Sequence, residues 1–287
     1  MDMQINWPSN LIEEIAYRRS TLFLGAGISA TAKNEKGESP KRWGEFLNDA
    51  IELLNNPAQT KVDFIQKMIE QNNYLLALQA IHDACDPGHY ANYIRQVYSR
   101  PNYKASSVHE LIKEIDSKIV ITTNFDKIYE NLCNDHGYTV AHYGESKKIL
   151  SNIKCAENLI IKAHGSVDDI DRIVFTQKQY YEAKKTHPEF YNILNALFLT
   201  NTVVFLGYSL NDPDINLILE TVANTSSPSS PHYVVVKQGV DFEVKQYWRE
   251  CYNIVTLEYG PEYDNLEENI ANLVDQVLSF RQSKLIY

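Results

Sequence analysis

Thr21-Leu22-Phe23-Leu24-Gly25-Ala26-Gly27-Ile28-Ser29 is a short apolar run stopped by a glycine-rich turn. A run of this length, ended by glycines, reads as a buried strand entering a tight loop. Glycine lets a backbone turn sharply and lie close to a ligand. Amides at the start of a following helix would face a pyrophosphate. A plain tight turn accounts for Gly25-Ala26-Gly27 equally well. No Gly-Lys-Ser/Thr follows, so the loop is not of the ATP-binding Walker type. Ala30 stands where a dinucleotide fingerprint has its third glycine, a position where alanine is tolerated because the need is close helix packing.

The same arrangement recurs three times. Residues 118–122 run into Thr123-Asn124-Phe125-Asp126, 159–162 into Ala163-His164-Gly165-Ser166, and 202–206 into Gly207-Tyr208-Ser209. In an open parallel sheet the carboxyl ends of the strands form the ligand crevice. Four polar or glycine-rich segments at four such ends therefore describe one pocket, for a nucleotide. Further strands are expected at 138–141, 232–236 and 253–257, and helices at 125–136, 177–185, 188–199, 213–223 and 266–280. A first helix carries Leu11, Ile12, Ile15 and Ala16 on one face, with Ser9 or Asn10 as its cap. This alternation predicts an α/β fold with a doubly wound, Rossmann-like parallel sheet. Residues 32–104 instead show helical spacing, as in Trp43, Phe46, Leu47, Ala50, Ile51 and Leu54. They read as a helical insertion after the first strand, packed beside the sheet. Residues 1–287 are taken as one domain containing that insertion.

The strand ends carry the chemistry. Asn124 can both donate and accept, so it can grip a ribose hydroxyl or position a water. Asp126 has two readings, a ligand contact or the N-cap of the next helix. An imidazole such as His164 serves as a base near neutrality. Gly207 gives room and the Ser209 hydroxyl can bond a phosphate or ribose oxygen. Asn211-Asp212-Pro213-Asp214 is a helix-start signal. His82, His89, His136, His142, His187 and His232 show no ligand-like spacing.

Composition narrows the class. A formal net charge of −10 argues against nucleic-acid binding by this chain alone. The first residues lack the pattern of a secretory signal. No apolar run approaches the ~20 residues of a membrane span. Four scattered cysteines, Cys85, Cys133, Cys155 and Cys251, read as isolated thiols. A cytoplasmic protein without a metal site is expected.

Taken in order, Gly25-Ala26-Gly27-Ile28-Ser29, Thr122-Thr123-Asn124-Phe125-Asp126, His164-Gly165 and Gly207-Tyr208-Ser209 resemble the sirtuin superfamily, over about residues 20–240. His109, in Val108-His109-Glu110-Leu111-Ile112, fits the same pattern. The four-cysteine zinc module of sirtuin deacylases has no counterpart, since 166–206 contain no cysteine. The family's arginine-bearing cofactor loop is replaced by a longer polar loop, where Arg42 is the one available substitute. Residues 205–214 resemble instead the sirtuin-like domains of bacterial antiphage defence, NAD+ hydrolases that deplete the cofactor and arrest the infected cell.

The resemblance implies NAD+ as substrate and no metal. It implies that Asn124 holds a water and a ribose hydroxyl, that His164 is the base, and that Asp126 binds the nicotinamide amide. Gly25, Ala26, Gly27, Ser29, Gly207 and Ser209 would cradle phosphate and ribose. It further implies a homo-oligomer and a regulatory protein in trans, of translocase-type ATPase or Argonaute-like kind. The insertion and the polar loop 33–40 are the surfaces expected to meet it. Two other functions share the scaffold: a protein deacylase or ADP-ribosyl transferase, and a non-catalytic module that senses NAD+ or a related nucleotide.

Overall fold

The apolar runs are strands of one sheet: β1 (Ser20–Leu24), β2 (Ile119–Thr122), β3 (Tyr138–His142), β4 (Asn158–Lys162), β5 (Thr202–Leu206), β6 (His232–Lys237) and β7 (Ile254–Tyr259). The computed structural model describes residues 4–55, 57–134, 137–210, 213–225 and 230–286. The strand order is β3-β4-β2-β1-β5-β6-β7, and every pairing is parallel. β1, first in sequence, is central. The chain leaves it toward β2 on one side, and β5 returns to it on the other. The β1–β5 boundary is therefore a topological switch point, where open α/β sheets bind ligands.

Helices cover both faces. α1 (Ser9–Ala16) precedes β1, and α2 (Ala26–Ser29) is a single turn after it. α3 (Trp43–Ile51), α4 (Gln59–Glu70), α5 (Tyr74–His82) and α6 (Pro87–Tyr98) lie between β1 and β2, followed by α7 (Ser107–Glu114). α8 (Ile128–Cys133), α9 (Ser146–Ile153), α10 (Gln177–Thr186) and α11 (Pro188–Thr200) lead to β5. α12 (Pro213–Thr225), α13 (Phe242–Tyr252) and α14 (Asn265–Lys284) complete the chain. Because side chains alternate along a strand, each strand feeds two cores. Phe23, Ile121, Ile161 and Phe205 pack with Phe190 and Phe198 of α11. Leu22, Leu24, Val120, Ile160 and Leu206 pack with Leu11 of α1, Ile112 of α7 and Leu273 of α14. The resulting architecture is the doubly wound, Rossmann-like one.

The helical segment has a third core of its own. Phe46, Leu47, Ile65, Leu78, Ile81 and Ile94 gather there with Phe125 from the loop after β2 and Val167, Ile173 and Phe175 from the loop after β4. The segment therefore caps the loops at the carboxyl ends of the sheet, rather than lying beside it as expected. Its two ends meet where Lys104 N–H donates to the Lys33 carbonyl at 2.9 Å. Phe46 is fully buried and rings with Tyr93, Tyr98 and Phe175. Phe46→Ala is expected to lose about 3–5 kcal/mol in urea unfolding, the usual loss for a large aromatic cavity. A loss below 1 kcal/mol would show that the third core collapses freely.

Other boundaries differ from expectation for physical reasons. Pro8, not Ser9 or Asn10, precedes α1, and the Asn10 amide instead donates to the Tyr233 hydroxyl at 3.0 Å. α8 begins at Ile128, three residues later than expected, because the Asp126 carboxylate takes the Ile128 N–H and holds a turn open before it. α9 and α13 were not expected; Ile149 and Tyr252 are their only fully buried residues. Asn211, Asp212 and His136 lie outside the described residues, as does most of the 226–231 connection.

Candidate functional site

The four segments emerge side by side. Leu24, Thr122, Lys162 and Leu206 end the adjacent strands β1, β2, β4 and β5, and Leu24 is in register with both Thr122 and Leu206, as Thr122 is with Lys162. Their loops thus leave the sheet at one level. Across the switch point two loops touch backbone to backbone. Gly25 N–H donates to the Leu206 carbonyl at 2.9 Å and Gly27 N–H to the Gly207 carbonyl at 2.8 Å. Gly207 has φ +61, and a Cβ on it would lie 2.5 Å from Ile28 N. Ala26 and Gly27 remain exposed on the rim, as does Ser209, while Gly25 is buried and Gly207 half-buried.

Asn124 spans the gap between β2 and β1. Its Nδ2 donates to the Gly25 carbonyl at 2.9 Å and to Ser29 Oγ at 2.9 Å. The Ser29 hydroxyl in turn donates to Asp126 Oδ2 at 2.6 Å. Asp126 Oδ1 accepts the Ile128 N–H at 3.0 Å. The Gly25 carbonyl can only accept, so the nitrogen of the Asn124 amide is fixed on that side. Both amide protons are then engaged, and Oδ1 is the atom left to accept from a water or a hydroxyl. A chain of bonds ending on a carboxylate polarises the amide and strengthens that acceptor. Asn124 itself is half-exposed, whereas Ser29 and Asp126 are buried. Asp126 thus holds the turn before α8 and supports the asparagine from inside, while Lys127 is the N-cap residue.

His164 occupies the neighbouring strand end. It is buried, its ring stands edge-on to Tyr180 at 4.9 Å, and its Nδ1 lies 3.4 Å from the Tyr180 hydroxyl. Gly165 after it has φ +82, and a Cβ there would meet the Arg172 carbonyl at 2.5 Å, so this turn requires glycine. A small, largely apolar cavity of about 10 Å³ lies between these elements, walled by Leu24, Ile28 and Ile160 and, on its polar side, by Ser29, Asn124 and Lys162. That is room for about one water. His164, Gly207 and Ser209 are not among its walls.

Several members of this network were not read from sequence. Thr122 Oγ1 donates to the Leu24 carbonyl at 2.9 Å and accepts the Asn124 N–H at 3.0 Å, locking β2 to β1 just before the asparagine. Lys162 and Glu130 are buried beside it, and Tyr180 backs the histidine. A lysine ending an apolar strand buried on both faces was the available signal, because unpaired lysine is almost never fully buried. Arg42 does not enter the network: its guanidinium stands 5.7 Å from the Tyr263 ring centre. Among the described residues no group of three His, Cys, Asp or Glu is placed to hold a metal, and no helix is long and apolar enough to cross a membrane.

His109 explains a pH dependence. Its Nδ1 accepts the Ser106 N–H at 3.2 Å, and burial depresses its pKa to about 4. His232, whose Nδ1 accepts the Val203 N–H at 3.1 Å, is likewise depressed to about 4 by burial. Both are neutral in the fold and titrate near 6.5 when unfolded. Between those values the unfolded chain binds more protons, so stability is fully present above pH 6.5 and is lost as pH falls toward 4. Each contributes about 3 kcal/mol over that window. The urea midpoint is expected to fall steeply from pH 7 to pH 4.5, and less so in His109→Asn. A flat midpoint in the parent chain would contradict this.

A parallel sheet with a polar network at its switch point defines a doubly wound, Rossmann-like protein. Residues 118–257 match the family described as the SIR2-like domain, and the chain is sirtuin-like over that region. Defense-associated sirtuin 2 of Bacillus subtilis is 20% identical over 92% of this chain and 26% of its own length. NAD(+) hydrolase ThsA of Acinetobacter baumannii (strain 532279) is 24% identical over 93% of this chain and 48% of its own. NAD(+) hydrolase ThsA of Enterococcus faecium is 21% identical over 79% and 45%. The chain thus spans about half or less of these relatives. A solved Sir2 homolog–NAD complex shares the fold, with TM-score 0.50, 12% identity, and coverage of 98% of this chain and 97% of its own.

Proposed function

We propose that this protein is an NAD+ glycohydrolase that releases nicotinamide and ADP-ribose, and that it serves antiphage defence by depleting NAD+. The observation that carries the reading is Asn124, whose amide protons are both engaged and whose Oδ1 faces the only remaining task, accepting from a water or ribose hydroxyl. The relatives named as NAD(+) hydrolase and defence sirtuin support it. In this reaction the C–N bond to nicotinamide breaks and a C–O bond to water forms, through an oxocarbenium-like ribose. The leaving group is already cationic, so departure needs little acid help. The site must orient the ribose and hold one water in line. Asn124 Oδ1 orients that water, and His164 takes its proton or polarises the ribose hydroxyl. Gly25, Ala26, Gly27, Gly207 and Ser209 form the rim that carries phosphate and ribose. Ser29 and Asp126 act chiefly by holding Asn124; contact of Asp126 with the nicotinamide amide requires its buried carboxylate to be uncovered.

Regulation is proposed to enter through the helical segment. Phe125, between Asn124 and Asp126, is buried in that segment's core. A partner or a second copy that shifts the segment therefore shifts both polar residues. Deleting loop 33–40 is expected to change the oligomeric state or the NAD+ turnover. No change in either, by light scattering and product analysis, would separate this loop from control. The activity itself is tested by quantifying free nicotinamide and ADP-ribose at high protein concentration. Their release, absent in His164→Ala, supports the hydrolase. Tight NAD+ binding without release, even with the product of a neighbouring gene added, would assign a sensor instead.

A further inference from the structure

Lys162 ends β4, two residues before His164, and its side chain is 2% exposed. It reaches across to the neighbouring strand's loop. Its ammonium donates to the Asp126 carbonyl and lies 3.7 Å from the Glu130 carboxylate, itself 8% exposed. Taking a lysine and a glutamate out of water is expensive, and well-packed apolar residues in their place are often as stable or more so. A buried pair is therefore weak evidence of a stability role, and its location suggests another. Asp126 is held at three points: Oδ1 by the Ile128 N–H, Oδ2 by the Ser29 hydroxyl, and its backbone carbonyl by Lys162. The first two bonds act on the side chain. The third acts on the backbone between Asn124 and α8, next to the Val167 N–H bond to the Phe125 carbonyl at 3.0 Å.

We infer that Lys162 is a positioning residue of this site: its bond to the Asp126 carbonyl locks the turn after β2 to the end of β4, and so sets Asn124 against His164. The inference deepens the hydrolase reading and rests on it for its kinetic consequence. Lys162 is one wall of the small cavity between β1, β2 and β4. Glu130 anchors the lysine from α8. Its carboxyl is raised by burial, and the nearby Lys162 and Lys127 pull it back down.

The test uses Lys162→Met, Glu130→Gln and the double variant, each compared with the parent chain for Tm, NAD+ kinetics and hydrogen exchange of amides 124–128. Exchange reports local opening without needing any activity. Lys162→Met leaves Glu130 buried and unpaired, so it is expected to lose stability that the double variant largely recovers. In the double variant kcat is expected to stay at least tenfold down, with KM for NAD+ within about threefold, and amides 124–128 to exchange at least tenfold faster. Glu130→Gln keeps the bond to Asp126, so its loss of turnover and of protection is expected to be at least tenfold smaller. Recovery of kcat together with Tm in the double variant would overturn the inference. So would parent-like exchange at 124–128. If the double variant does not fold, Glu130→Gln decides: loss of both protection and turnover there would overturn it too. A parent chain that cleaves no NAD+ fails the hydrolase reading, while the exchange experiment still tests the brace.

Discussion

Alanine at His164 is expected to lower the first-order rate of NAD+ cleavage by about 10²–10⁴-fold, the usual worth of a positioned proton-transfer group. Asn124→Ala is expected to be at least as damaging, because it removes the oriented acceptor and releases the Gly25 carbonyl and Ser29 hydroxyl that it joins. Both variants are expected to fold. Asn124 is half-exposed at the rim, and removing the His164 ring leaves a small space beside Tyr180. Single-turnover measurement of ADP-ribose release checks the rates, and urea unfolding checks the fold. Asn124→Asp is a sharper probe. It keeps the size but replaces the two N–H donors with an acceptor facing the Gly25 carbonyl, so the side chain must turn away. Full turnover in both alanine variants would end the assignment of this rim as the reactive centre.

The second large effect concerns stability. Gly207→Ala is expected to cost about 3 kcal/mol or more, from a left-handed backbone at about 1–2 kcal/mol and steric overpacking at about 1–3. The added methyl would meet Ile28 N at 2.5 Å and Gly27 C at 2.8 Å, which are backbone atoms that no rotamer can move. Gly37→Ala is the control. Gly37 has φ +81 with open space where its Cβ would stand, so only the backbone part is lost, about 1 kcal/mol. Equal losses at the two positions, by urea unfolding, would show that the β1 and β5 loops separate easily. A large loss at Gly207 with reduced nucleotide affinity in the folded fraction ties the contact to the rim.

The sheet was legible because its strands are nearly continuous apolar runs. Ile119-Val120-Ile121 and Val203-Val204-Phe205-Leu206 are buried on both faces, as strands of a parallel sheet covered by helices are. The segments after those strands were legible because polar residues follow directly on such runs. What could not be read was three-dimensional bookkeeping of donors and acceptors. Ser29, expected at a ligand, turns inward to Asp126. Lys162 lies deep beside Glu130, a residue 32 positions earlier on another element, a pairing that no local pattern shows. The location of the helical segment was also hidden. Its docking depends on Phe125 and Phe175, which in sequence are single aromatics in polar loops. α9 is only eight residues long with one fully buried side chain, Ile149, too short a stretch to stand out between two strands.

The central place of β1 bears on how the protein is made. β1 leaves the ribosome first, but its neighbours are residues 119–122 and 202–206. Its apolar residues must wait, unpaired, until those segments are made, and such distant pairings close slowly. Until Gly207 is translated, Gly25 and Gly27 lack the carbonyls that their N–H groups bond. A chain arrested between residues 164 and 207 has Asn124 and His164 but lacks the β5 loop that bonds Gly25 and Gly27. The contact between the β1 and β5 loops thus forms only after some 180 further residues, about the separation of Gly27 and Gly207, have been made.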